Sequence, residues 1–239
     1  MISVTHLSKS YGNVIAINDL TFNVRKGEVF ALLGLNGAGK STTIGILCSL
    51  IKKTCGTVYV DGYNLDTEYD KIKQIVNLSP QESAFASNLT VKQNLELIAN
   101  LYGLSDIGAK VQKMITDFSL ENKADKRAKT LSGGQKRRLS IAMACITEPK
   151  VLILDEPTLG LDIVARKELW RIINNYKGKT TVILTTHYLE EAVALADRIA
   201  ILNNGLLSVV GTEKQIIKYA NAPDFETAFI RLAGGYDET

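Results

Sequence analysis

The sequence predicts an α/β protein, on three observations. Apolar runs at residues 29–33, 151–154 and 180–184 are short and nearly continuous, so they read as strands buried on both faces. The first runs into a glycine-rich loop and then a helical stretch reaching about residue 50. Between about 82 and 147 the pattern turns helical, after an N-terminal region that alternates with period two.

In chain order, residues 1–30 read as antiparallel sheet. Leu20, Phe22 and Val24 alternate with Thr21, Asn23 and Arg25, the signature of a half-buried strand. Ser10-Tyr11-Gly12 reads as a turn. Tyr11 can pack that turn or stack on a nucleotide base, which is worth roughly 1–3 kcal/mol. Lys26-Gly27 turns the chain into strand 29–33.

Gly34-Leu35-Asn36-Gly37-Ala38-Gly39-Lys40-Ser41-Thr42 follows and contains the pattern G-x-x-x-x-G-K-S. The glycines let the backbone wrap so that successive N–H groups face phosphate oxygens. The helix N-terminus adds partial positive charge. Lys40 has the reach for β- and γ-phosphates, and the Ser41 hydroxyl can ligate Mg²⁺.

Residues 57–61 read as a strand closed by Gly62, and 75–78 as another, ending at Ser79-Pro80-Gln81. Thr90 caps a helix with Leu95, Leu97, Ile98 and Leu101 inside and Gly103 as its stop. A second helix spans about 107–118. Lys123, Lys126, Arg127, Lys129, Lys136, Arg137 and Arg138 stand against one acid, Asp125; the run from Lys123 to Lys129 reads as a solvated face. Asn122-Lys123-Ala124-Asp125 matches the guanine-reading N-K-x-D pattern, but it follows a helix end where a buried strand is required. A GTPase is therefore not indicated.

Leu131-Ser132-Gly133-Gly134-Gln135 opens a helix to about 146, with Ser132 as N-cap. Two glycines in a first turn cost roughly 1 kcal/mol each. That cost points to something approaching the backbone closely, and an anion suits a helix N-terminus. Asp155-Glu156-Pro157 follows strand 151–154, at the strand end where an α/β sheet places its ligand chemistry. Asp155 suits Mg²⁺, and Glu156 is placed to polarise an attacking water. Asp162 caps a helix to about 176. Thr185-Thr186-His187 follows strand 180–184 at the same sheet edge, where His187 is structural or catalytic. Strands 198–202 and 206–210 flank Asn203-Asn204-Gly205 as a hairpin. Thr212 and Gln215 form a capping box, and 224–232 is a last helix before Gly234-Gly235.

Composition excludes other classes. Hydrophobic residues are 46% and charged residues 22%, ordinary for a globular protein. No run approaches the 18 or so apolar residues of a membrane helix, and the strand-like N-terminus shows no signal peptide. A net charge of +3 is too small to argue for nucleic acid. Cys48, Cys55 and Cys145 lack metal or disulfide spacing, and His6 and His187 add no zinc site, so reduced thiols and a cytosolic protein are expected.

Tyr11, the glycine-rich loop, Gln81, L-S-G-G-Q, V-L-I-L-D-E-P, L-G-L-D and His187, in this order, resemble the nucleotide-binding domain of ABC transporters over residues 1–215. The resemblance implies a RecA-like P-loop core, an N-terminal antiparallel β subdomain, an inserted α-helical subdomain at about 82–147 and a short helical tail at 216–239. It also implies two such domains, of identical or different chains, pairing head to tail around two ATPs. Tyr11 would stack on adenine, and Gly34, Leu35, Asn36, Gly37, Ala38, Gly39, Lys40, Ser41 and Thr42 would wrap the phosphates. Ser132, Gly133, Gly134 and Gln135 would complete the site from the opposite subunit. Ser41 and Gln81 would ligate Mg²⁺ with Asp155 in support. Glu156 would be general base, His187 would hold the γ-phosphate, and Asp162 would link the two sites.

Lys136-Arg137-Arg138-Leu139-Ser140, His187-Tyr188-Leu189-Glu190-Glu191-Ala192 and the tail 224–234 are similar to bacterial exporter ATPases for drugs, peptides or lipids. The implied partner is an integral membrane permease on a separate chain, at the cytoplasmic face of the cell membrane. A non-transport ATPase of the same type, acting on ribosomes or DNA, is the competing expectation. Ile163 departs from the proline common after the loop aspartate, and Asp162 can still cap its helix. After Gln81, Phe85 reads either as core of the helical segment or, exposed with Leu89, as an apolar docking patch.

Overall fold

Strand alternation sorts the apolar side chains into two cores, one on each side of a central sheet. The structure, a computed structural model, describes residues 1–234. Strands β1 (Ile2–Tyr11) and β2 (Val14–Val24) form a hairpin, and β3 (Val29–Leu33) leads towards α1 (Lys40–Leu47). Then come β4 (Cys55–Val60), β5 (Tyr63–Asn64), α2 (Tyr69–Lys73) and β6 (Val76–Ser79). Helices α3 (Val91–Leu101), α4 (Ile107–Asp117) and α5 (Gly133–Cys145) follow. The chain continues through β7 (Val151–Asp155), α6 (Ile163–Asn174), β8 (Thr181–Thr186) and α7 (Leu189–Leu195). It closes with β9 (Arg198–Asn203), β10 (Leu206–Gly211), α8 (Glu213–Tyr219) and α9 (Phe225–Leu232).

One sheet has the order β2-β1-β4-β5 and is antiparallel; the other has the order β10-β9-β3-β8-β7-β6. In the second sheet β9, β3, β8, β7 and β6 run parallel and β10 is antiparallel to β9. This is the α/β class expected, with the N-terminal antiparallel sheet and the P-loop strand inside a parallel core. In β3, Val29, Ala31 and Leu33 face the core shared with α3 to α6, while Phe30 and Leu32 face α1 and the antiparallel sheet. Leu152 and Leu154 against Val151 and Ile153 divide β7 the same way. Each buried Leu, Ile or Phe contributes roughly 1.5–3 kcal/mol. A one-residue slip would exchange the two sets, so this patterning fixes the register.

Register also sets the functional edge. Leu33 pairs with Thr186, Asp155 with Thr185, and Ser79 with Leu154. The residues that follow these strands, Gly34, His187, Glu156 and Pro80-Gln81, therefore emerge side by side at the carboxyl ends of parallel strands, where α/β sheets bind ligands.

Several expectations need correction. Tyr11 ends β1 and the turn is Gly12-Asn13. Helix α1 stops at Leu47, short of residue 50, because the chain reverses at Ser49 (φ 58°) and the N–H groups of Leu50 and Ile51 return to the Gly45 carbonyl. In α3 only Leu95 of the four named residues is buried, and Ile98 is half-buried. Leu97 and Leu101 are 40% and 71% exposed. The inward stripe is Val91, Asn94, Leu95 and Ala99, at helical spacing, and the other leucines fall off it. The short helices α2 and α7 carry too few turns to show a period in the sequence. Helix α9 forms as expected, with Asp224 Oδ1 accepting the Thr227 N–H. Gly235 and the rest of the expected tail lie outside the described residues. No helix among the described residues is long and apolar enough to cross a membrane.

Candidate active site

The glycine-rich loop leaves β3 and closes on the N-terminus of α1, where Gly39 stands at the N-cap with φ 98°. A Cβ there would lie 2.8 Å from the Ala16 carbonyl oxygen, so this position needs glycine twice over, for conformation and for space. No side chain caps α1, which leaves its first-turn N–H groups to a ligand. Asn36, Gly37, Ala38, Gly39, Lys40, Ser41 and Thr42 line a cleft of about 350 Å³ that also takes in Gln81, Glu156 and, from β2, Val14 and Ile15. Gly34 and Leu35 do not line the cleft; they meet it only through Lys40, to which their carbonyls are hydrogen-bonded. Lys40 is 6% exposed, and its Nζ donates to Gly34 at 2.8 Å and Leu35 at 3.2 Å.

The opposite wall is an acid held by two nitrogens. Glu156 is 7% exposed. Its Oε2 accepts from His187 Nδ1 at 2.9 Å, and its Oε1 lies 3.6 Å from Lys40 Nζ. Its backbone sits at φ 44°, in the left-handed region, which costs a residue with a Cβ roughly 1–2 kcal/mol. Such strain persists where the surroundings over-determine a geometry, and it collects at functional sites. Thr185 supplies much of the constraint: its Oγ1 accepts the Glu156 N–H at 3.0 Å and donates to Asp155 Oδ1 at 2.5 Å. One hydroxyl on β8 thus orients both acids on β7.

Tyr11 is 48% exposed, with Lys9 Nζ 4.5 Å over its ring, and it does not line the cleft. Ser132, Gly133, Gly134 and Gln135 do not line it either. They form a complete capping box, in which Ser132 Oγ accepts the Gln135 N–H and Gln135 Oε1 accepts the Ser132 N–H. The two glycines differ. Gly133 has open space where a Cβ would stand, whereas at Gly134 a Cβ would lie 2.9 Å from that of Ala165 on α6. For Gly134 the close approach inferred from sequence comes from the chain itself.

Sequence reasoning missed three residues around the site. Arg137 stands in a run of cations to which the sequence gives no individual role, yet it is 5% exposed and its guanidinium donates to four backbone carbonyls. Its spacing of four from Gly133 and from the buried Ile141 was the available signal. Asn94, fully buried, binds both the N–H and the carbonyl of Ala86 and so shapes the segment after Gln81. Glu191 is fully buried on α7, accepting Trp170 Nε1–H at 3.2 Å, and burial pushes its carboxyl pKa up. Phe85 is half-buried against the helical core, between its two expected states.

Comparison with known proteins adds a family. The family model described as ABC transporter matches residues 17–159. A mouse protein named phospholipid-transporting ATPase ABCA3 is 44% identical over 217 residues, covering 88% of this chain and 13% of its own length. ABC transporter A family member 6 of Dictyostelium discoideum is 41% identical over 217 residues, with 88% and 13% covered. The chain therefore spans about an eighth of the length of these curated relatives. Among solved structures, one described as the ATP-binding subunit of an ABC transporter superposes with TM-score 0.87 at 32% identity, covering 97% of this chain and 99% of that one. The cassette MJ0796, solved as a dimer in a post-hydrolysis state with ADP and Pi, superposes with TM-score 0.80 at 25% identity, covering 89% and 98%.

Proposed function

The chain belongs to the ABC transporter family as one of its ATPase cassettes, and from that premise we propose that it is the ATP-hydrolysing subunit of an exporter, working with a membrane permease on a separate chain. One observation carries the catalytic part: a strained, buried glutamate held between a P-loop lysine and a histidine at the carboxyl edge of a parallel sheet. The unit doing this work is residues 1–215, with 82–147 as its helical insertion.

The residues present fit a nucleotide triphosphate and a divalent cation. Asn36, Gly37, Ala38, Gly39 and Thr42 line a backbone cradle that Gly34 and Leu35 lead into, and Lys40 supplies a buried positive charge. Ser41, Gln81 and Asp155 offer hard oxygen donors of the kind Mg²⁺ takes. Mg²⁺, when bound, neutralises charge developing on the phosphate oxygens. Glu156 removes the proton from a water as the water oxygen bonds to the γ-phosphorus and the bond to the β-phosphate oxygen breaks. His187 orients Glu156 through Nδ1 and holds the γ-phosphate. Tyr11, exposed at the end of β1 and outside the cleft lining, stacks on adenine.

Ser132, Gly133, Gly134 and Gln135 lie outside this cleft, which supports their acting on ATP bound by a second cassette, identical or different, placed head to tail. Asp162 then links the two sites. A solved relative described as a dimer supports pairing of two cassettes. The mouse relative's name favours a phospholipid as cargo, and a cassette serving a permease would sit at the cytoplasmic face of the cell membrane. The test is purification from detergent extract with phosphate release from MgATP measured. Copurified integral membrane proteins and turnover support the reading. Ribosomes or nucleic acid in their place would overturn the transport role, and a folded, nucleotide-binding protein without turnover would overturn the ATPase.

A further inference from the structure

Helix α5 reaches the catalytic edge through Ser140, whose hydroxyl lies 3.1 Å from that of Ser79, and through Arg137. Arg137 lies two residues beyond the Ser132–Gln135 capping box and one turn after Gly133, on the same face of the helix. Its Nε donates to the Pro157 carbonyl at 2.9 Å and its Nη2 to the Asp155 carbonyl at 2.6 Å. Its Nη1 reaches the Pro80 carbonyl and, at 3.3 Å, that of Gln81. These carbonyls belong to two neighbouring strand ends. Strand β6 stops at Ser79 and β7 at Asp155, so the ladder between them stops there too. The guanidinium takes over beyond the ladder. It binds the loop that carries Gln81 to the turn that carries Glu156, and both to α5.

A guanidinium is suited to this and an ammonium is not. Five donors in a fixed plane can serve four acceptors on two loops at once. Among the described residues Arg137 has no carboxylate within ion-pair distance, so its charge is met by carbonyl dipoles and by the wider field of Asp155, Glu156 and Glu191. Burial draws its pKa down to about 10, and it remains charged at neutral pH. A cation buried without a carboxylate is costly unless it is fully hydrogen-bonded, and packing alone would be served by methionine or leucine.

We propose that Arg137 is a positioning residue for ATP hydrolysis: it fixes α5 to Gln81 and Glu156, so that engagement of Ser132–Gln135 by a partner's nucleotide sets the geometry of this chain's own catalytic carboxylate. The proposal rests on the ATPase reading above. It makes Arg137 neither a nucleotide ligand nor a proton carrier, since it faces carbonyls and does not line the cleft.

The test uses Arg137→Lys and Arg137→Met in the full chain, with three readouts: the ATP dissociation constant, the separate kcat and KM for ATP, and amide hydrogen exchange in residues 79–82 and 155–159. Misplacing a reacting group by about 1 Å can cost 10²-fold in rate. Both variants should therefore bind ATP within about threefold of wild type with KM little changed, while kcat falls at least tenfold. Exchange should rise together in both segments and not in α1. The lysine variant, which keeps the charge, should recover only a small part of kcat. A kcat within about twofold of wild type in a folded variant, or exchange unchanged in both segments, would overturn the proposal. So would full recovery by lysine. Should wild type itself fail to turn over, the ATPase reading falls, and the exchange experiment still decides whether Arg137 ties the two loops together.

Discussion

His187 Nδ1 and Glu156 Oε2 stand 2.9 Å apart, and the second oxygen of the same carboxylate faces Lys40 Nζ at 3.6 Å. A carboxylate clamped from both sides is oriented before any substrate arrives, and preorganisation of that kind is worth most where water is excluded. Glu156→Gln keeps the shape and loses the proton-accepting capacity. Hydrolysis should slow by roughly 10²–10⁴, the usual worth of a general base, while ATP binding persists. Size-exclusion chromatography of this variant with MgATP should show a dimer. A monomer that binds ATP and hydrolyses it normally contradicts the base role.

Lys40→Ala removes a buried cation that holds two P-loop carbonyls and one oxygen of Glu156. Turnover should drop steeply, because a phosphate-positioning charge and the order of the loop are lost together. Radiolabelled phosphate release measures it. Near-wild-type turnover would remove Lys40 from the machinery.

Gly39→Ala places a methyl 2.8 Å from the Ala16 carbonyl at φ 98°. The strain and the forced shift together should cost roughly 1–3 kcal/mol. Both a lower melting temperature and weaker ATP binding should follow, since β2 and the P-loop share the contact. An unchanged ATP affinity would mean that the loop adjusts without disturbing its N–H groups.

Glu191 links stability to pH. Its carboxyl is fully buried near Glu156, Thr158, Thr186 and Trp170, and burial raises its pKa above the ordinary 4.5. The folded chain then binds a proton more tightly than the unfolded one. Its contribution is complete below about pH 4.5 and is lost as pH rises through the folded value. Glu191→Gln, which does not titrate, should therefore lose less stability than wild type on going from acid to neutral pH. Urea denaturation across that range checks this, and parallel curves for the two proteins would contradict it.

Much of this site was legible because chemistry and strand ends coincide in the chain. The glycine-rich loop, Asp155-Glu156 and His187 each follow a short apolar run, and a parallel sheet aligns such ends automatically. Arg137 was not legible in this way. One-dimensional charge counting places it beside Lys136 and Arg138, and only the packing of α5 separates them. Leu97 and Leu101 failed in the opposite sense: they are apolar, and the helix turns them outward. Thr185 and Asn94 act through a few hydrogen bonds to neighbours, and no composition rule marks such residues. The helix cost of Gly133-Gly134 is visible in the sequence, but the reason at Gly134 lies on α6, thirty-one positions away at Ala165.

The last prediction moves the docking surface. Phe85 packs against the helical core, and Ala86, Ser87 and Leu89 are tied down by hydrogen bonds to Asn94, Lys129 and Ala128. Phe85→Asp should therefore act mainly by destabilising the fold, since it buries a charge without a partner. A more open apolar surface lies elsewhere. A groove of about 890 Å³ runs between the core and the helical segment, with Leu50, Tyr69, Tyr102 and Leu104 in its lining. Leu50 is 70% exposed, Tyr102 51% and Tyr69 40%, and contiguous apolar exposure of this kind marks protein contact. The groove is also lined by Leu78, three residues before Gln81, so an occupant would press on the strand leading to the cleft. Leu50→Glu alters a side chain that faces solvent and touches none of the catalytic residues. It should leave melting temperature and basal ATPase near wild type and abolish copurification of the membrane subunit. Phe85→Asp should lower the melting temperature first, with any loss of the partner following from that. If Leu50→Glu still captures the membrane subunit at wild-type yield while a folded Phe85→Asp does not, the docking surface belongs at Phe85 after all.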